Sequence, residues 1–222
     1  MRLTLACQHS WDLLPEQAVQ LQKEMRKKVL QQPLDIAEVK TVAGLDVGFN
    51  KDIARAAAIV MKFPSLEPIV EATAETPVSF PYIPGLLSFR EAPVLLAALD
   101  QLEQMPDVII CDGHGWAHPR RFGIACHLGV LLDRPVIGCA KSLLVGKYSQ
   151  PGNEVGSVSE LQEGGEVIGM ALRTRAGAKP VFVSVGHRVD LPSATRLVAA
   201  CSHGYRLPEP TRLADRLASR RR

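Results

Sequence analysis

The stretch Val42-Ala-Gly-Leu-Asp-Val-Gly48 sets one carboxylate, Asp46, inside a run of small and apolar residues. Apolar neighbours on both sides of Asp46 predict a central β-strand. A carboxylate left there without a partner costs on the order of several kcal/mol, so a cation must compensate it. The competing readings are a turn aspartate before Gly48 or an aspartate paired with an arginine. Outward from this stretch, Val39–Phe49, Ala56–Lys62 and Glu67–Ala74 are rich in small and β-branched residues and are broken only at Asn50-Lys51-Asp52 and Phe63-Pro64-Ser65. Breaks this short suit antiparallel hairpins, and the expectation is a three-stranded meander.

Upstream, Pro15 can open a helix in which Ala18, Leu21, Met25 and Val29 share a face, ending before Pro33. Downstream the pattern changes. After a proline-bounded loop from Pro77 to Gly85, Ala92–Leu102 has helical apolar spacing, Val108–Cys111 is a short all-apolar run, Pro119 opens a helix with Ile124, Leu128, Leu131 and Leu132 on one stripe, and Val136–Ala140 is again apolar. Val167–Thr174 and Val181–Val185 flank Ala176-Gly177-Ala178 as a hairpin, and two helices follow around Ser193–Ala200 and Arg212–Arg220. Three antiparallel strands leading into parallel strands with helices on both faces is a mixed α/β sheet, the layout of the ribonuclease H-like fold. No repeat or interdomain linker interrupts residues 1–222, so one domain is expected.

Composition narrows the function classes. At 46% hydrophobic residues the chain can bury a substantial core, and a formal net charge of only +3 means that nucleic-acid contact must rest on local patches. The clearest are Pro119-Arg120-Arg121 and the tail Arg216–Arg222, the latter also readable as a solvated helix end. Five cysteines without CxxC spacing argue against zinc and against a disulfide framework, and point to a reducing cytosol. No apolar run approaches the ~20 residues of a membrane span, so a cytoplasmic protein is expected.

Further charged residues stand at element ends. Asp112 closes the Val108–Cys111 strand and precedes Gly-His-Gly, where backbone can approach a ligand closely; an Asp-Gly turn is the alternative. Ends of buried parallel strands are where α/β sheets place their sites. Ser88-Phe-Arg-Glu91 matches a capping box, but Pro93 would then lie beyond the first turn, so the helix is expected to begin nearer Glu91 and leave that carboxylate free. Lys141 ends the Val136–Ala140 strand at the same edge, where it could hold a phosphate or a nucleophilic water. Thr211 can cap the last helix, placing Asp215 one turn in, where by itself it is a dipole partner. If Asp46, Glu91, Asp112 and Asp215 converge, they form an oxygen-rich cage for Mg2+ or Mn2+. Pro81-Tyr82-Ile83-Pro84 presents an aromatic on a rigid loop, as a wedge into stacked bases requires. His114, His118 and His127 lack a zinc spacing.

Together, Ala43-Gly-Leu-Asp-Val-Gly-Phe49, Pro81-Tyr-Ile-Pro-Gly-Leu-Leu-Ser-Phe-Arg-Glu91, Asp112-Gly-His-Gly115, His118-Pro-Arg-Arg121, Gly138-Cys-Ala-Lys141 and Arg206-Leu-Pro-Glu-Pro-Thr-Arg212 closely resemble the endonuclease V family, in order and over nearly the whole chain. The resemblance implies a ribonuclease H-like, Mg2+-dependent endonuclease, with Mn2+ as a substitute. Such an enzyme recognises deoxyinosine in DNA and nicks the second phosphodiester on its 3′ side, leaving 3′-hydroxyl and 5′-phosphate. It implies Asp46 and Asp112 as metal ligands, Glu91 and Asp215 completing the acidic site, and Lys141 near the scissile phosphate. Tyr82 would be the wedge, carried by Pro81, Ile83 and Pro84, with Arg90 and His118 in or beside the DNA track. Leu87, Gly113, Gly123 and Gly138 would line the base pocket. Inosine-containing RNA is the alternative substrate, and a monomer without membrane contact is implied.

Two rival readings stand beside it. Gly44-Leu-Asp-Val-Gly48 also resembles the phosphate loop of actin-like sugar kinases, but those need two such domains and 222 residues are too few. The other is a lesion-binding protein without catalysis.

Overall fold

The computed structural model describes residues 3–219. Among these, nine strands form one mixed sheet in the order β3-β2-β1-β4-β5-β9-β8-β7-β6. The meander is β1 (Thr41–Asn50), β2 (Ile53–Lys62) and β3 (Pro68–Pro77), paired antiparallel as expected. Next to β1 lies β4 (Val108–Cys111), parallel to it with Leu45 opposite Cys111, and next to β4 lies β5 (Val136–Ala140), also parallel. Beyond β5 the direction reverses again through β9 (Val181–His187) and β8 (Glu166–Leu172) to β7 (Val158–Glu163) and β6 (Lys147–Tyr148).

Helices cover both faces. One core layer joins Ala43, Leu45 and Ile109 to α2 (Leu87–Leu99) and α3 (Ile124–Leu132), with Met25 of α1 (Pro15–Met25) at its edge. The other joins Val42, Ile110 and Ile137 to α4 (Leu191–Ala200) and α5 (Glu209–Ala218). Alternation along β1 therefore sends Val42, Gly44, Asp46 and Gly48 toward α5. The two glycines make room for it. A Cβ on Gly44 would lie 2.0 Å from the carbonyl carbon of Pro210, and one on Gly48 would lie 2.7 Å from the carbonyl oxygen of Ala218. The helix backbone rests directly on the strand, with Asp46 between the two contacts.

Four boundaries differ from expectation. The first helix ends at Met25 and passes into a single tighter turn at Arg26–Lys28, so Val29 lies outside it. The second helix begins at Leu87, four residues before Glu91, and keeps Pro93 inside it. Ser88 and Phe89 are buried in that first turn, and their burial outweighs the one backbone hydrogen bond that proline removes. The third helix begins at Ile124, because Pro119–Phe122 are held in turns; all nine of its residues are buried, so it has no solvent face. The last helix is capped at Pro208, and Thr211 instead turns its hydroxyl back to the Pro208 carbonyl. Residues 220–222, part of the expected basic tail, lie outside the described residues. The five cysteines are free, and no helix among the described residues is long and apolar enough to cross a membrane.

Candidate active site

The parallel pairing of β1 with β4 carries both strands to the same edge, and the Asp112 amide donates to the Leu45 carbonyl at 3.0 Å. Asp46 and Asp112 thus leave adjoining strands side by side. Seated on the glycines of β1, α5 brings Asp215 to them, and one carboxylate oxygen from each of the three residues lies within 4.8 Å of the others. From the end of β5, Lys141 reaches between two of them, its Nζ 2.5 Å from Asp112 Oδ2 and 2.6 Å from Asp215 Oδ1.

One ammonium does not neutralise three carboxylates. Burial, then the neighbouring Asp112, pushes Asp46 up to about 8. Burial also raises Asp112, although Lys141 opposes the shift. For Lys141 burial alone would pull the ammonium down; the hydrogen bonds to Asp112 and Asp215 hold it above its ordinary value instead. Glu91, on α2, stands outside the close triad and faces it, pushed up to about 7 by burial and then by Asp112. A cluster of carboxylate oxygens with raised proton affinities is a donor set for a hard divalent cation, which binds oxygen ligands and displaces protons. The residues present fit such an ion.

Beside the cluster, sharing Asp112 with it and lined also by Glu91, is a cavity of about 250 Å³. Leu87, Gly113 and Gly123 are among the residues that line it. Gly138 does not line it; it lies behind the wall, where a Cβ would come within 2.8 Å of the Gly113 carbonyl oxygen. Its missing side chain lets the Gly113–Gly115 loop rest on β5. His118, placed by sequence beside a DNA track, is 3% exposed; its Nε2 donates to the Gly85 carbonyl at 2.9 Å while Nδ1 accepts from the Arg120 amide. Burial, then Arg120, lowers it to about 4, so the ring is neutral.

At the mouth of the cavity Tyr82 is 69% exposed, flanked by exposed Pro81 and Pro84 and half-buried Ile83. Arg90 ties the base of this loop down, donating to the Phe80 carbonyl at 2.8 Å with its guanidinium 4.6 Å from the Phe49 ring centre. The Pro119-Arg120-Arg121 segment is not an outward basic patch. Arg120 bonds Gln22 and Gly85, and Arg121 is paired with Glu163 and Glu166. Among the buried polar side chains that line the cavity, Gln22 was missed by sequence reasoning and Ser88 was read only as part of a capping box. Gln22 had a signal, a polar residue amid the buried Ala18 and Met25 of α1.

The family model for Endonuclease V matches residues 23–216. An endonuclease V of Trichormus variabilis is 52% identical over 215 residues, covering 96% of this chain and 97% of that protein. The crystal structure of the endonuclease V of Streptomyces avermitilis superposes with a TM-score of 0.90 at 46% identity, covering 98% of this chain and 96% of that one. The endonuclease V of Ciona intestinalis, solved in complex with a 23mer DNA containing an inosine followed by a ribo-adenosine, superposes with a TM-score of 0.82 at 28% identity, covering 93% of this chain and 97% of that one.

Proposed function

This chain belongs to the endonuclease V family of nucleases, and on that premise we propose that it is a divalent-metal-dependent repair endonuclease acting on inosine in DNA. The observation that carries this reading is the meeting of Asp46, Asp112 and Asp215 at one sheet edge, next to a cavity of a size for a small planar ligand. The three aspartates would hold Mg2+, or Mn2+ in its place. A bound divalent cation offsets the charge of the scissile phosphate and acidifies water. Glu91, titrating at about 7, accepts the proton of the attacking water at neutral pH. Lys141 meets the phosphate from the side of Asp112 and Asp215. The base turns out into the cavity, which costs less for inosine because its pair is weaker than that of adenine. Tyr82 fills the gap left in the duplex, and Arg90 holds the loop that carries it. The cut falls at the second phosphodiester 3′ of the lesion, leaving 3′-hydroxyl and 5′-phosphate.

The test is to incubate end-labelled DNA and RNA, each carrying one inosine or one adenine, with Mg2+, Mn2+ or EDTA and to map the products. We expect inosine-dependent nicking in either metal and none in EDTA. Equal cutting of the adenine control, or no cutting with any metal, overturns the reading. RNA belongs in the test because the DNA in the Ciona complex carries a ribonucleotide after its inosine.

A further inference from the structure

Gln22 lies on α1, away from the sheet edge, yet it is 1% exposed and forms part of the cavity wall. Its side-chain amide uses every bonding direction that matters. Nε2 donates to the Gly85 carbonyl at 3.0 Å and to the Phe122 carbonyl at 3.0 Å, while Oε1 accepts from Arg120 Nε at 2.5 Å. The orientation of the amide follows from its partners, since the two carbonyls can only accept and the guanidinium can only donate. The Gly85 oxygen also receives His118 Nε2 at 2.9 Å and Arg120 Nη2 at 2.7 Å, so three side chains converge on one carbonyl. Gly85 has a φ of +80°, and a Cβ there would meet the Arg120 guanidinium at 2.8 Å.

These bonds tie together two stretches of the cavity's lining. Gly85 lines the cavity and ends the loop that carries Tyr82 and leads into Leu87; Phe122 immediately precedes Gly123, another lining residue. One buried amide therefore fixes the spacing of two lining segments. We propose that Gln22 is a positioning residue for recognition of the extruded base, holding the Gly85 and Phe122 backbones at the spacing a purine needs. The proposal rests on the inosine reading above and adds a residue from a helix that carries none of the acidic cluster. A site that reads a base through fixed polar groups loses discrimination when those groups shift, because partners are then left unmatched.

The test compares the intact protein with Gln22→Met, which keeps length but not hydrogen bonds, and Gln22→Glu, which keeps the acceptor toward Arg120 but turns an oxygen on the two carbonyls. Affinity is measured in Ca2+ for a duplex containing one inosine, the same duplex with adenine, and the same duplex with no base at that position. Loss of a buried hydrogen-bond partner should weaken inosine binding by about ten-fold while leaving the base-free duplex unchanged. A merely structural role would weaken all three together. That result, or an unchanged inosine preference in folded variants, overturns the proposal. If Gln22→Met fails to fold by circular dichroism, Gln22→Glu decides alone. Should the unaltered protein itself fail to prefer inosine over adenine, the functional reading falls and takes this inference with it; a preference that survives both substitutions removes Gln22 only.

Discussion

Two neighbouring regions share Asp112 and solve opposite problems. In the acidic cluster three carboxylates face one ammonium, and burial pushes protons onto Asp46 and Asp112. In the cavity next to it the polar groups of Gln22, His118 and Arg120 are matched donor to acceptor, with His118 neutral. The cluster is short of positive charge, whereas the network on the Gly85 carbonyl is satisfied within the protein. A region of the first kind gains when a cation arrives; one of the second kind is pre-formed for a neutral, flat ligand and loses when any member is removed.

The sharpest way to break that contrast is Asp46→Asn, which keeps the shape of the side chain and removes its charge. We expect cleavage of inosine-containing DNA to fall by ~10³-fold or more, the scale on which removing a key electrostatic group acts. The stability of the metal-free protein should move the other way. The folded-state pKa of Asp46 is raised, so its contribution to stability is fully present below the unfolded value of 3.8 and is lost as pH rises through about 8. Asparagine escapes that loss, and calorimetry at mildly alkaline pH should find Tm raised by about 3–5 °C. Gln22→Met should lower it. Opposite signs at the two sites are the test; a drop in both would mean that the carboxylates are a structural element rather than a charge held ready for a cation.

Much of this was legible in the chain. The meander followed from three runs of small and β-branched residues with short breaks, and β4 and β5 from all-apolar runs whose ends predicted Asp112 and Lys141. Asp215 was invisible locally, because its place depends on α5 lying on β1. The signal was present but non-local: Gly44, Asp46 and Gly48 alternate onto one face, and the glycines are the seats of the helix. The β6–β7 hairpin escaped because β7 is an outlying strand with only Leu161 buried, so alternation leaves almost no apolar trace. Arg120 and Arg121 looked like a surface patch because their partners, Gln22, Glu163 and Glu166, are distant in sequence.

A smaller effect sharpens the charge side of the comparison. With Asp46 titrating at about 8, a proton competes with the metal through the neutral range, so binding must release it. Apparent affinity for Mg2+ or Mn2+, followed by calorimetric titration, should rise by about ten-fold per pH unit below pH 7, roughly fifty-fold in all from pH 6 to pH 8, and level off above. Glu91, at about 7, adds to the slope if it meets the ion and leaves it unchanged if it only handles water. A flat profile would mean that the cluster is ionised without help.

The smallest effect belongs to the neutral side. Tyr82 is 69% exposed on a loop anchored at Phe80 by Arg90 and at Gly85 by Gln22, His118 and Arg120. Removing its ring deletes no buried contact, so Tyr82→Ala should shift stability by no more than about 0.5 kcal/mol. Stacking of one base on an aromatic ring is worth ~1–3 kcal/mol, so binding to an inosine-containing duplex should weaken by about ten-fold. On a single strand there is no opposing stack to hold apart, and the loss should be smaller. Equal losses on both would make Tyr82 a general contact with the strand and not a wedge. A loss on the duplex alone would show that the satisfied network around Gly85 serves the exposed tip as well as the cavity, because a ring can resist a closing stack only when its loop cannot yield.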